Sequence, residues 1–436
     1  MKTYIHPPRD RWAALLARPL QRENDSIRRQ VEEIVEHVRQ HGDTALRELS
    51  SRFDGVEPTG LAVTEAEITA ADRQLSDELK TAIRQARENI AAFHAAQKME
   101  PVRVETRPGI QCEQRSVPIR SVGLYVPGGS APLFSTVLML AVPAQIAGCR
   151  EITLCTPPRK DGTVAPEILW TAQLCGVTRI FKVGGAQAIA AMAFGTQTVP
   201  KADKIFGPGN RYVMAAKQLL GLSAVAIDMP AGPSEVMVLA DDTARAEFAA
   251  ADLLSQAEHG PDSQAILVTT SAALATAVET EVRKQLARLG RAEIATQALT
   301  ESRIFVVGSE AEMVAMANLY AAEHLIVETA EPEAVAEQIE NAGSIFLGHY
   351  SPESAGDYAS GTNHTLPTSG WAAAYGGVNI DSFCKKITLQ RLTEDGLRNI
   401  GATVERMASA EGLDAHRNAV RIRLDAMNHP EKPGCN

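Results

Sequence analysis

Strand-like and helix-like segments alternate through most of this chain, and this alternation restricts the fold more than any other feature. From Gly109 onward, short apolar runs such as 121–126 and 151–155 are each followed by a segment with helical periodicity. The same pattern resumes after residue 235 and continues to the run 344–347. Alternation of this kind predicts parallel sheets that are covered by helices on both faces.

The alternation of strands and helices is interrupted at 233–235, which is a natural boundary between two sheets. Two consecutive sheets therefore fit better than one very wide sheet. Before Gly109 the periodicity is helical. After Thr368 the chain is glycine-rich for a few residues and is then predicted to be helical to Met427. The predicted fold class is α/β, with two consecutive, incomplete Rossmann-like parallel-sheet domains, a helical N-terminal region and a small helical C-terminal domain.

Composition and charge exclude several kinds of partner. The formal net charge is −10 and is spread along the chain, which argues against binding nucleic acid or an anionic membrane. The N-terminus has no apolar signal core, and the apolar run 137–146 is interrupted by Pro143 and is too short to cross a bilayer. The six cysteines show no C-x-x-C spacing, which predicts reduced thiols in a cytoplasmic protein.

Gln256 and His259 lie three residues apart at the end of an apolar helix that Gly260 and Pro261 terminate. Residues with this spacing share one helix face. An amide oxygen and an imidazole nitrogen on one face are able to bind a divalent metal. A surface amide next to a histidine at the negative end of the helix dipole explains the same residues, and the local sequence alone favours that explanation.

Glu323 and His324 separate a helix from a strand, where the histidine is a candidate general base or half of a helix-terminal charged pair. The polar stretch 351–364 contains Asp357 as a candidate metal ligand and His364 as a candidate hydrogen-bond donor, and a structural loop explains it equally well. Glu411 and His416, in the helical tail, are not linked to the other candidates by their spacing.

Glycine-rich turns follow two of the predicted strands and begin helices, at 184–187 and 207–210. Turns of this kind suit phosphate groups, because free backbone N–H groups point at the anion. Tyr125 ends another strand before a Gly-Gly turn. The sequence contains no G-x-G-x-x-G, so plain βα turns explain these segments better than dinucleotide binding does.

Taken together, these segments resemble the L-histidinol dehydrogenase family from about residue 27 to residue 427. The matching strings are GLYVPGGSAP (123–132), VGGAQA (183–188), FGPGN (206–210), DMPAGPSE (228–235), SQAEHGPD (255–262), EHL (323–325) and SPESAGDYASGTNH (351–364). Each string is unspecific alone, and together they are highly specific.

The resemblance implies one zinc ion per subunit. The implied ligands are Gln256, His259, Asp357 and His416. A ligand set without thiolate leaves room for the imidazole and amino nitrogens of a bound substrate. The resemblance also implies His324 as the base that removes the alcohol proton and Glu323 as the residue that activates water for a second oxidation. The implied substrate contacts are Ser234, His364 and Glu411, together with the four metal ligands and His324.

The implied reaction is a four-electron oxidation of L-histidinol to L-histidine through a bound aldehyde, the last step of histidine biosynthesis, with two NAD molecules used in turn. The implied NAD contacts are Tyr125, Gln187 and Asn210. The resemblance further implies a homodimer with shared sites, because His416 and Glu411 would reach into the site of the partner subunit.

With this resemblance in view, we divide the chain into four parts. These are an N-terminal arm (1–22) that packs with the tail region; a first α/β domain (23–125 and 235–370) with the metal and substrate residues; a second α/β domain (126–234) with the NAD contacts; and a helical C-terminal dimerisation domain (371–436). The tail from residue 430 is predicted to be disordered.

Three other interpretations remain open at this stage. A paralogous NAD-dependent metal dehydrogenase would act on another small polar alcohol. A metal-dependent hydrolase would use Glu323 and His324 on a metal-bound water, without NAD. A binding protein would have lost catalysis, although the presence of both Glu323 and His324 argues against it.

Overall fold

The computed structural model describes residues 1–18, 24–57, 60–128 and 131–428. The N-terminal part contains β1 (Lys2–Ile5), α1 (Trp12–Leu15), α2 (Asn24–His41), α3 (Asp43–Phe53), α4 (Glu65–Asp72) and α5 (Asp77–Ala95). The next part contains β2 (Val102–Arg107), β3 (Ile110–Pro118), β4 (Ser121–Tyr125), α6 (Phe134–Ala147), β5 (Glu151–Thr156), α7 (Pro166–Leu174), β6 (Arg179–Lys182), α8 (Gly185–Phe194), β7 (Lys204–Phe206), α9 (Arg211–Gly221) and β8 (Ala226–Ile227).

A second alternating part follows. It contains β9 (Glu235–Ala240), α10 (Ala246–Ala257), β10 (Gln264–Thr269), α11 (Ala272–Leu286), α12 (Ala292–Thr300), β11 (Arg303–Val306), α13 (Glu310–Tyr320), β12 (His324–Glu328), α14 (Pro332–Ala336), β13 (Ser344–Leu347) and α15 (Glu353–Tyr358). The chain continues with β14 (Cys384–Leu392), α16 (Glu394–Ala410) and α17 (Asp414–Asn428). By its internal contacts the chain divides into one unit of residues 1–97 and 119–383 and a second unit of residues 98–118 and 384–436.

Two parallel sheets form the first unit, which confirms the predicted α/β class with two parallel sheets. One has the strand order β6-β5-β4-β7-β8 and the other the order β1-β11-β10-β9-β12-β13. Strands β9, β10 and β12 are buried along their whole length, as expected for parallel strands that helices cover on both faces. In each sheet the chain order reverses once at the centre, between β4 and β7 and between β9 and β12.

The helices before β4 cover the five-stranded sheet. Helices α2 and α3 pack on α8, while α4 packs on α7 and α5 on α6. Strand β4 itself pairs with β5 and β7. Our sequence-based division grouped residues 23–125 with 235–370 and therefore differs from the observed packing. The reason is that an apolar helix stripe shows which face is buried but not which sheet buries it.

The N-terminal arm is part of the six-stranded sheet. Strand β1 pairs in parallel with β11, and Trp12 and Leu16 pack in the core formed by β9, β10 and β12. Each is 3 % exposed, and burial of a side chain such as Leu16 contributes about 2 kcal/mol of hydrophobic stabilisation. The predicted packing of this arm with the tail, and the predicted disorder of the tail, concern residues 429–436, which lie outside the described part of the chain.

The second unit combines an antiparallel sheet with a helical hairpin. Its strand order is β14-β3-β2, and β14 pairs with β3 along nine residues. The prediction that the chain is helical after Thr368 is wrong for β14, because pairing with a distant strand decides this segment. Helices α16 and α17 pack on each other closely at Gly401, where a Cβ would lie 2.6 Å from Leu424.

Across the stretches that the structure describes, no helix combines the length and the apolar character needed to cross a bilayer.

Candidate active site

Two ionisable residues lead into β12, which lies between β9 and β13 in the six-stranded sheet. Helix α13 ends at Tyr320, and Ala321 adopts a left-handed backbone conformation (φ 51°) that turns the chain away from the helix axis. Glu323 and His324 follow, with only 6 % and 3 % of their surface exposed. The pair therefore lies at the amino edge of this sheet, whereas ligands of open α/β sheets usually bind at the carboxyl edge.

The imidazole of His324 is surrounded by oxygen atoms. Its Nδ1 lies 3.3 Å from the carbonyl oxygen of Glu235 and 3.7 Å from Glu323 Oε2. Its Nε2 lies 3.5 Å from Asp357 Oδ1, and within the described residues neither of these two buried atoms has a hydrogen-bond partner. Burial by itself would lower the pKa of this imidazole, but the carboxylates of Glu323, Glu353 and Asp357 raise it to about 10.

Helix α15 supplies two of these carboxylates. Glu353 and Asp357 are four residues apart, so they share one helix face. Glu353 is 1 % exposed, accepts a hydrogen bond from the hydroxyl of Ser255 (3.2 Å), and lies 4.0 Å from Nδ1 of His324. Burial raises the pKa of Glu353 to about 8. Burial acts in the same direction on Asp357, but the contact with His324 outweighs it and keeps the pKa of Asp357 below its usual value.

Helix α10 brings Gln256 and His259 to the same place. Gln256 is fully buried, and the backbone N–H of His259 donates to its carbonyl oxygen in the last turn. With its amide oriented to satisfy both neighbours, Gln256 donates to Glu353 Oε1 (2.8 Å) and accepts from the N–H of Glu235 (3.0 Å). The same N–H also donates to Glu323 Oε2 at 2.9 Å. The backbone of Glu235 therefore contacts both Gln256 and Glu323.

Three side chains have the geometry of a cation site. Ligand atoms of His259, Glu353 and Asp357 all lie within 4.8 Å of one another. His259 is exposed, while the two carboxylates are largely buried. Nitrogen and oxygen donors at this spacing suit a divalent cation such as zinc.

Two further predicted residues border this cluster. His364 lies with its Nδ1 2.9 Å from the carbonyl oxygen of Asp357 and its Nε2 3.4 Å from Thr136 Oγ1. Burial lowers the pKa of His364, which favours the neutral imidazole. Ser234 directly precedes β9, and its carbonyl oxygen accepts from the N–H of Gln264.

The remaining predicted metal and substrate residues belong to the second unit. Glu411 follows α16, and His416 lies in the first turn of α17. Both side chains are exposed. The first unit thus brings together Gln256, His259, Glu323, His324, Asp357 and His364, whereas Glu411 and His416 belong to the second unit.

The three predicted NAD residues follow strands of the five-stranded sheet at its carboxyl edge. The hydroxyl of Tyr125, the last residue of β4, accepts from the N–H of Gly185 at the start of α8 (3.0 Å). Gln187 is buried in the first turn of α8. Asn210 caps α9, because its Oδ1 accepts from the N–H groups of Tyr212 and Val213 (3.0 and 3.1 Å).

A buried ion pair fixes the turn before Asn210. Lys217 Nζ and Asp228 Oδ1 are 2.5 Å apart, with both side chains 1 % exposed. Lys217 donates to the carbonyl oxygen of Gly207, and Asp228 accepts from the N–H of Gly207, both at 2.8 Å. Gly207 has a φ of 119°, and a Cβ there would lie 2.1 Å from the carbonyl oxygen of Tyr125, so only glycine fits between β4 and β7.

The sequence interpretation gave no role to Glu353 and Glu235, although both lie at the centre of the cluster. Glu353 could have been found from its spacing of four residues before Asp357. No local signal marks Glu235, because a glutamate that begins a buried strand has the same sequence pattern as one at the solvent-exposed end of a strand.

The fold and the cluster define an α/β protein with a buried histidine–carboxylate centre suited to proton transfer and to a divalent cation. A model of the histidinol dehydrogenase family matches residues 17–424. Histidinol dehydrogenase of Bacteroides fragilis is 57% identical over 425 residues, which cover 98% of this chain and 99% of that protein. Histidinol dehydrogenase of Salmonella typhimurium is 55% identical over 416 residues, which cover 95% of each chain.

A solved structure agrees with these sequence matches. The crystal structure of histidinol dehydrogenase from Elizabethkingia anophelis superposes with a TM-score of 0.96, at 53% identity, and covers 98% of this chain and 99% of that one. This chain belongs to the histidinol dehydrogenase family. It is therefore an enzyme of the oxidoreductase class, and the family resemblance expected from the sequence is confirmed.

Proposed function

We propose that this enzyme oxidises L-histidinol to L-histidine in two NAD-dependent steps, with one zinc ion per subunit and with each active site shared between two subunits. The observation that carries the proposal is the buried cluster of His324 with Glu323, Asp357, Glu353 and Gln256, within a chain that belongs to the histidinol dehydrogenase family. The name of the family supplies the substrate.

The donor set fits a divalent cation. Asp357 Oδ1 and His324 Nε2 are buried without hydrogen-bond partners among the described residues, and the carboxylates of Glu323, Glu353 and Asp357 face the imidazole of His324. We propose Gln256, His259 and Asp357 as ligands, with His416 of the partner subunit as the fourth. When bound, the ion would hold the amino alcohol and polarise its oxygen. Its positive charge would also bring the pKa of His324 down towards the range of a general base.

The two nitrogen atoms of His324 have different tasks in this proposal. Nδ1 is positioned to carry the proton and to donate to the carbonyl oxygen of Glu235 at 3.3 Å. That tautomer leaves the lone pair of Nε2 free to accept the proton of the substrate hydroxyl. Glu323 is the residue that activates water at the aldehyde stage. Burial raises its pKa to about 8, and a base is most effective when its pKa is near the working pH.

For NAD we propose the carboxyl edge of the five-stranded sheet. The chain order reverses there between β4 and β7, which is where open α/β sheets bind ligands. Tyr125 ends β4, Gln187 lies in the first turn of α8 after β6, and Asn210 caps α9 after β7. We infer that they contact the dinucleotide.

The homodimer is supported by apolar side chains that the second unit leaves exposed. Val104, Met407 and Ile422 expose 50 %, 61 % and 67 % of their surface. Exposed apolar side chains of this size favour a protein interface. We propose that this unit mediates dimerisation and presents Glu411 and His416 to the site of the partner subunit.

The direct test is the stoichiometry of NADH produced from L-histidinol by the zinc-loaded enzyme. We expect two NADH for each L-histidine formed, and no NADH from simple diols. One NADH per substrate would contradict the second oxidation. Turnover without NAD would favour the hydrolase interpretation, and equal rates with other small polar alcohols would favour the paralogous dehydrogenase.

Replacing Asp357 with asparagine is expected to weaken zinc binding by at least about tenfold, because the neutral amide keeps the shape but loses the charge of the ligand. Zinc per subunit after dialysis against a chelator series measures this without reference to activity. Asp262→Asn is the control, because this carboxylate is exposed and faces Arg211. Zinc affinity that is unchanged in Asp357→Asn would remove Asp357 from the ligand set.

Mixed dimers test the shared site. In a dimer of one His324→Ala chain and one His416→Ala chain, one site carries both changes and the other carries neither. When the two chains mix at random, about half of the dimers contain one chain of each kind. Each mixed dimer has one intact site out of two, so about a quarter of the wild-type activity should return. Sites built within one subunit would each carry one change, and no activity would return.

A further inference from the structure

We infer that the contact between Arg18 and Glu235 holds the catalytic pair Glu323 and His324 in position. Through this contact the N-terminal arm affects the geometry of the pair. This inference deepens the proposed function and rests on it. The sequence interpretation gave neither residue a role, and the mechanism above uses only the backbone of Glu235.

The arginine reaches into the six-stranded sheet from the arm. Its Nε and Nη2 donate to the two carboxylate oxygens of Glu235, at 2.5 and 2.9 Å, across 217 residues of sequence. Nη2 also donates to the carbonyl oxygen of Tyr320 at 2.7 Å, and the guanidinium lies 4.1 Å from the centre of the Tyr320 ring. A two-pronged contact with a carboxylate fixes both direction and distance, which a single ammonium contact does not.

Glu235 transmits this position through its backbone. Its side chain is 3 % exposed, and its Oε1 accepts a second hydrogen bond from the N–H of Ser369 (2.9 Å). Its own N–H donates to Glu323 Oε2 at 2.9 Å, and its carbonyl oxygen lies 3.3 Å from His324 Nδ1. One residue at the amino end of β9 therefore holds both members of the catalytic pair, while its side chain is held by the arm.

The arm is firmly attached, so it is able to serve as an anchor. Strand β1 pairs with β11, and Trp12 and Leu16 are buried in the core beneath β9. Without the guanidinium, the carboxylate of Glu235 would stay buried with the N–H of Ser369 as its remaining donor. A buried carboxylate in that state shifts towards solvent, and the backbone groups that face Glu323 and His324 shift with it.

The inference is tested by the variants Arg18→Met, Arg18→Lys, Glu235→Gln and the double variant Arg18→Met with Glu235→Gln, in the full-length zinc-loaded enzyme. We expect Arg18→Met to lower kcat for L-histidinol by about 10- to 100-fold, because displacement of a catalytic group by about 1 Å has effects of this size. KM for L-histidinol and NAD and the zinc content should change little. Lysine should restore part of kcat, since it keeps the charge but not the two-pronged contact.

Arg303→Met is the matched control for attachment of the arm. Arg303 donates to the carbonyl oxygen of Ala17, next to Arg18, but makes no contact with Glu235. We expect its kcat to stay near that of the wild type. Equal losses in Arg303→Met and Arg18→Met would overturn the inference, because loosening of the arm would then explain both.

The double variant distinguishes coupling from separate damage. If Arg18 acts through Glu235, the loss in the double variant should be close to that of Glu235→Gln alone and clearly smaller than the product of the two single losses. Multiplicative losses, or a wild-type kcat in Arg18→Met, would overturn the inference. If Arg18→Met does not fold, the variants Arg18→Lys and Glu235→Gln still test the inference, because a wild-type kcat in both variants would overturn the inference. Failure of the proposed function itself appears separately, as absence of NADH formation by the wild type.

Discussion

Replacing His324 with alanine is expected to lower the rate of L-histidinol oxidation by about three to four orders of magnitude, the upper range for loss of a general base. In the proposed mechanism its Nε2 takes the hydroxyl proton. That atom lies 3.5 Å from Asp357 Oδ1 and has no hydrogen-bond partner among the described residues. Both oxidation steps should be lost, because each hydride transfer leaves the same carbon while the same base removes a proton from its oxygen. Single-turnover NADH formation from L-histidinol and from the aldehyde measures the two steps separately.

The variant His324→Asn separates loss of the basic nitrogen from loss of the hydrogen bond at Nδ1. The asparagine amide is able to donate to the carbonyl oxygen of Glu235, as Nδ1 of the histidine does, but it has no basic nitrogen at the position of Nε2. We expect it to lose as much activity as alanine while it keeps the thermal stability of the wild type. His37→Ala is the control for loss of a histidine, since His37 pairs with Glu48 on the helices that cover the other sheet. Activity of His324→Asn within tenfold of the wild type would exclude a general base at Nε2.

The sequence was sufficient to predict those parts of the fold and of the site that depend on local periodicity. Alternating segments predicted two parallel sheets, and the spacing of Gln256 and His259 predicted a shared face at the end of α10, where both residues lie beside the carboxylates of α15. The family resemblance predicted which distant segments belong to one site. Seven of the nine predicted metal, catalytic and substrate-contact residues lie in the first unit, and Glu411 and His416 lie in the second.

The contacts that orient these residues could not be predicted, because they depend on packing between distant segments. Glu353 meets Gln256 across 97 residues of sequence, a distance in the chain that no periodicity spans. Arg18 lies in the polar N-terminal arm, which the sequence predicts to pack with the tail region, yet its guanidinium pairs with the buried carboxylate of Glu235. Strand β14 likewise depends on β3, a strand from another part of the chain. In each case the partner, rather than the segment itself, determines the structure.

Replacing Glu323 with glutamine is expected to separate the two oxidations. The amide oxygen still accepts from the N–H of Glu235, as the carboxylate does at 2.9 Å, so the backbone of β9 and the position of His324 should be retained. Alcohol oxidation should then fall by no more than about tenfold. Aldehyde oxidation should fall by about 100- to 1000-fold, because the hydration step loses the carboxylate that activates water.

Rapid-quench measurements of the aldehyde and L-histidine formed in a single turnover separate these outcomes. Build-up of bound aldehyde in Glu323→Gln, with a first NADH formed at nearly the wild-type rate, is the expected result. Glu328→Gln is the matched control, since Glu328 is also buried on β12 but lies at the opposite end of the strand from His324. Equal loss in both half-reactions would show that Glu323 acts on His324 rather than on water. Its 3.7 Å contact with Nδ1 would then be the interaction that matters, because it holds the imidazole in the orientation that both hydride transfers require.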